Sequence, residues 1–134
     1  MRGKEEGRGK KEELVDLRAR TKAFALRVIR LYTSLPKTTE AQVIGKQVLR
    51  SGTSIGANYR EAYRARSKAE YIAKVGDSLK EAEETGYWFE LLVDSGMVAT
   101  EKIASLQAEC GELIAIFISA IRKAKSSDDR GQAI

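Results

Sequence analysis

The chain has 134 residues, with 24 Lys and Arg against 19 Asp and Glu, a formal charge of +5, one cysteine and no histidine. That length suits one domain with its own core, and a lone cysteine excludes an internal disulfide framework and fits a reducing compartment. Without histidine the commonest general base, the Ser/His and Cys/His nucleophile pairs and the Glu-x-x-His di-iron site are all removed, so no catalysis and no cofactor are expected.

Residues 1–11 are charged and Gly-rich with no apolar run behind them, unlike a signal peptide, and read as a flexible basic tail. A bundle is expected over residues 12–125. In its first segment Leu14, Leu17, Thr21, Phe24, Val28, Leu31 and Leu35 recur at alternating steps of three and four. This is the seam of a helix packed with left-handed crossing, and Pro36 stops it.

The second segment runs through Ala41, Ile44, Val48, Ser51, Ile55, Asn58 and Ala62, with Thr38 or Thr39 as N-cap. Its seam is the poorest of the four. Gly52 and Gly56 each cost about 1 kcal/mol against Ala inside a helix, so the segment gives up propensity for close backbone approach or a surface contact. Gly45, Gly52 and Gly86 are expected to let helices approach closely. Asn58 on the seam is expected to face the interior, bonded to a carbonyl or to Ser54, Glu61 or Glu83, and to fix register.

A Ser67 to Glu70 capping box opens the third segment, which continues through Ile72, Val75, Leu79, Ala82, Gly86, Phe89 and Val93 to a stop at Ser95-Gly96. The fourth, capped by Thr100, presents Ile103, Leu106, Cys110, Leu113, Phe117 and Ala120 or Ile121. Cys110 on this stripe reads as a core thiol rather than a reactive one. Residues 126–134 read as a second flexible tail. Short connections make sequential neighbours antiparallel, so the fold class is all-α, an up-down-up-down antiparallel four-helix bundle. The longest apolar run, Leu113 to Ile121, is about half the ~20 residues a bilayer requires. No membrane partner is expected, and the cytoplasm is the default location.

Charge is unevenly placed. From Lys46 to Lys74 seven Lys or Arg face only Glu61 and Glu70, whereas from Val75 to Glu112 nine acidic residues face only Lys80 and Lys102. The basic cluster can bind phosphates, with Tyr59, Tyr63 and Tyr71 as stacking platforms for unpaired bases. It can equally meet the acidic surface of a neighbouring subunit, or stand as a solvated surface with weak local ion pairs. Glu81, Glu84 and Asp77 share a helix face, but their spacing is that of an ordinary solvated face and no metal site is expected. Tyr87, Trp88, Leu91 and Leu92, with Ile114, Ile116 and Ile118, exceed what one seam can bury. They point to oligomerisation unless the helices rotate to absorb them.

Several runs carry a resemblance: Leu49 to Asn58 (LRSGTSIGAN), Glu61-Ala62, Arg66-Ser67-Lys68 with Glu70, and Asp77 to Thr85 (DSLKEAEET). Over roughly Thr21 to Lys125 the chain resembles the four-helix-bundle family encoded in intervening sequences of bacterial large-subunit ribosomal RNA genes. It departs from that pattern at Asn58-Tyr59-Arg60-Glu61 and at Ala65, where Gly is frequent. The resemblance implies a non-catalytic bundle that assembles into a homo-oligomeric ring, commonly a pentamer. It also implies kinship with accessory proteins of diversity-generating retroelements, which are basic and associate with nucleic acid and a reverse transcriptase.

The expected nucleic-acid-binding residues, with RNA favoured, are Arg50, Arg60, Arg64, Arg66 and Lys68 with Tyr59 and Tyr63. Gly52, Ser54, Asn58, Glu61, Ser67 and Trp88 are expected to be structural or interface residues. The alternative is a purely structural scaffold in which the same arginines form the subunit contact.

Overall fold

The computed structural model describes the backbone of residues 2–133 and the side chains of residues 17–127. Four helices follow one another: α1 Arg2–Ser34, α2 Thr39–Tyr63, α3 Lys68–Asp94 and α4 Thr100–Ala133. The expected four-helix bundle is therefore present. Helical backbone continues into both segments that read as tails; the side chains of residues 1–16, Leu14 of the first seam among them, and of residues 128–134 lie outside the described residues.

Local chemistry sets the ends of the helices. Thr38 Oγ1 accepts the Ala41 N–H (3.3 Å) and starts α2. Ser67 Oγ accepts the Glu70 N–H (3.0 Å), while the Glu70 carboxylate accepts the N–H of Arg66 at 3.2 Å, one residue earlier than a reciprocal box requires. Ala65 needs no positive φ in this corner, so a β-carbon is tolerated where Gly is frequent. Gly96 takes φ +80° after α3, the left-handed stop its sequence suggests. Thr100 is the first residue of α4 rather than its cap.

α1 and α4 bury the residues their spacing predicts, Leu17, Thr21, Phe24, Val28, Leu31 and Leu35 against Ile103, Leu106, Cys110, Leu113 and Phe117. α3 is turned by one residue at every second step. Val75, Ala82 and Phe89 are buried as expected, but Ser78, Thr85 and Leu92 are buried in place of Leu79, Gly86 and Val93. On α2 the correction is similar: Tyr59 is buried and Asn58 only half-buried. A tyrosine ring gains far more from leaving water than an amide that must keep its hydrogen bonds.

The interior hydrogen bonds lie elsewhere. Thr85 Oγ1 donates to Ser51 Oγ (2.8 Å), Ser51 donates to the Gln47 carbonyl (2.7 Å), and Ser78 donates across to the Ile55 carbonyl (3.0 Å). The first and last of these bonds tie α2 to α3, the register role expected of Asn58.

Three glycines of α2 face α1 at close range. A β-carbon on Gly45 would lie 2.6 Å from Leu35 Cδ1, one on Gly52 2.9 Å from Val28 Cγ2, and one on Gly56 3.0 Å from Thr21 Oγ1. Gly86 does not belong with them, because a β-carbon there meets only Cys110 Sγ, at 3.9 Å. α2 thus packs closely on α1 and α3, and α3 on α4, while α1 and α4 touch least. Polar bridges cross that last side: Arg20 reaches Glu109 (2.6 Å) and Glu112 (2.8 Å), and Arg27 donates to Ser105 (2.7 Å).

The turn of α3 also absorbs part of the surplus apolar surface. Leu92 enters the core, and Trp88, Leu91, Ile114 and Ile116 become half-buried, leaving Tyr87 and Ile118 outside. By length and composition the helix over Thr100–Ser127 contains a stretch apolar enough to cross a membrane, longer than the run of nine suggests. Its inward stripe fills the bundle core, and Arg20 of α1 holds its two central carboxylates.

Candidate nucleic-acid interface

The last turn of α2, the four-residue corner and the first turn of α3 bring Arg60, Arg64, Arg66 and Lys68 to one end of the bundle, all exposed. The two carboxylates in this stretch are engaged elsewhere. Glu61 pairs with Lys74 (2.9 Å), holding the lysine above its ordinary pKa, and Glu70 accepts the Arg66 backbone N–H. Among the described residues Arg60, Arg64 and Arg66 form no ion pair. Lys68 donates to Ser127 of α4 at 2.9 Å.

The expected set divides. Arg50 sits several turns from the corner, and its guanidinium bonds Glu81 (3.3 Å) and Glu84. The hydrogen bond with Glu84 raises the arginine pKa and lowers that of the carboxylate, which also accepts the Trp88 indole N–H (3.2 Å). Arg50 is therefore a clamp between α2 and α3, apart from the cluster, and it holds two of the three carboxylates on the face considered for a metal.

Tyr59 is 2% exposed against Phe117, with ring centroids 6.1 Å apart, so in this fold it cannot offer a face to a base. Burial pushes its pKa up. Tyr63 is 49% exposed, and the Arg18 guanidinium lies 4.2 Å from its ring centroid.

The residues expected to be structural are dispersed. Gly52 faces Val28, Ser54 donates back to the Arg50 carbonyl (2.7 Å), Asn58 is half-buried, Glu61 holds Lys74, and Ser67 caps α3. Trp88 stacks edge-on to Tyr87, with centroids 5.1 Å apart. The Cys110 thiol, bonded to the Ala82 carbonyl, is pushed up to about 11 by burial, the state of an unreactive core thiol.

Beside the corner lies a cleft of about 980 Å³ between α1, the start of α3 and the C-terminal part of α4. Leu17, Tyr71, Ile116 and Ala120 give it apolar walls, and Arg20, Arg66, Lys68 and Lys123 give it cations. The single-segment charge count misses Arg18 and Lys123. Antiparallel topology supplies the signal, because it sets the described start of α1 and the end of α4 beside the α2–α3 corner.

Fold and corner define a small all-α protein with a basic end. The chain belongs to the 23S rRNA-intervening sequence protein family, whose pattern spans residues 14–119. It is similar to a crystal structure of a protein of unknown function of the S23 ribosomal protein family from Bacteroides thetaiotaomicron. The two share 42% sequence identity, with 78% of this chain and 97% of that chain covered and a TM-score of 0.74. Among curated proteins none matches.

Proposed function

We propose that this chain is a non-catalytic cytoplasmic protein that assembles into a homo-oligomeric ring, a pentamer, and binds RNA at the α2–α3 corner through phosphate neutralisation. The supporting observation is a concentration of arginines, Arg60, Arg64 and Arg66, without ion pairs among the described residues while the neighbouring carboxylates are engaged elsewhere. Exposed guanidinium groups of this kind attract phosphate oxygens without reading sequence. A reverse-transcriptase partner, implied by the resemblance to retroelement accessory proteins, belongs to the same proposal.

The test is the triple substitution Arg60→Ala, Arg64→Ala, Arg66→Ala. It is expected to weaken binding to RNAs of unrelated sequence alike while light scattering gives an unchanged oligomer mass. Monomers with no RNA affinity to lose would instead assign the arginines to a subunit contact and overturn the RNA reading.

A further inference from the structure

We propose that the cleft beside the corner receives unpaired bases, so that this protein prefers single-stranded RNA to duplex; the inference rests on the reading of the corner as an RNA surface. The cleft and the corner are continuous, since Arg66 and Lys68 belong to both. A strand whose phosphates follow Arg60 to Lys68 brings its bases to the mouth.

The lining suits that occupant. Tyr71 from α3 offers a half-buried ring, and Ile116 and Ala120, four residues apart on α4, offer an apolar wall. Lys123 adds a further cation, and among the described residues no carboxylate lines the space. Arg20 is committed to Glu109 and Glu112, so it closes the α1 side rather than serving the ligand. Unpaired nucleotides splay their bases onto such surfaces, whereas a duplex keeps them stacked inside. A purely apolar occupant would gain nothing from the cations, and a bare phosphate nothing from the walls.

Fluorescence anisotropy at one low salt concentration tests this, with a mixed-sequence single-stranded RNA and the same strand annealed to its complement. Two substitutions change the cleft and leave the arginines of the corner in place: Ala120→Phe fills it, and Tyr71→Ala removes the ring. The single strand is expected to bind about ten-fold tighter than the duplex, and each substitution to remove most of that advantage. Retained duplex binding by the same variants controls for folding.

Equal affinity for both RNAs, unchanged in the two variants, would overturn the cleft proposal and leave the corner reading standing. No binding to either RNA by the wild type would overturn both. An acidic amphipathic peptide of Glu and Leu that binds the wild type but not Ala120→Phe, with single-stranded RNA indifferent to that change, would assign the cleft to a protein partner and also overturn the proposal.

Discussion

Gly52 and Gly86 look alike in the sequence and differ in what surrounds them. At Gly52 a β-carbon would meet both γ-carbons of Val28, at 2.9 and 3.0 Å. Val28 is fully buried and β-branched, so α1 itself must yield. Overpacking of about 1–3 kcal/mol then exceeds the ~1 kcal/mol of helix propensity gained. Gly52→Ala should lower the urea midpoint, and Gly86→Ala, with only Cys110 Sγ at 3.9 Å, should raise it; matching signs would show that the helix contacts are misread. Glu84 offers a second test at this scale. Hydrogen bonding from Arg50 holds it below its ordinary value of 4.5, so its contribution to stability is complete above that pH and is lost as pH falls through the lowered value. Urea midpoints measured down an acid series should fall less steeply in Glu84→Gln than in the wild type, by a small margin because the pair is solvent-screened.

At the scale of elements, α1 and α4 were legible almost to the residue, because apart from Thr21 and Cys110 each carries a line of large apolar side chains. α2 and α3 were legible in extent but not in phase. Their mutual contact uses Ser51, Ser78 and Thr85, residues with no hydrophobic signal, beside Leu79 and Val93, which carry a strong one and are only half-buried. Exchanging large apolar contacts for close approach and buried hydroxyl bonds leaves periodicity a poor guide to rotation. The Ser67 cap was more legible, although the Glu70 carboxylate closes one residue early on Arg66 and Thr100 opens α4 rather than capping it. Ser67→Ala should cost about 1 kcal/mol in a denaturant titration, and Ser67→Asp should restore most of it. No loss in the alanine variant would mean that packing alone positions the start of α3.

At the scale of the molecule, the fold followed from four seams and short connections, and the basic corner from a local excess of charge. The cleft did not, because it exists only once Tyr71, Ile116, Ala120 and Lys123 are brought beside that corner. Arg50 and Tyr59 show the converse. Both lie in the most basic and aromatic stretch, yet helix phase sends one to Glu81 and Glu84 and the other into the core. A functional surface here is defined by which end of the bundle a residue occupies and by whether a carboxylate already holds it.

The salt dependence of single-stranded RNA affinity tests the central claim most directly. With Arg60, Arg64, Arg66 and Lys68 each neutralising a phosphate, log K against log salt should fall with a slope of about −3, roughly a 50-fold loss between about 50 and 200 mM salt. The triple arginine variant should show a slope shallower by about 2. A flat response, or a slope unchanged by removing the three arginines, would contradict the account.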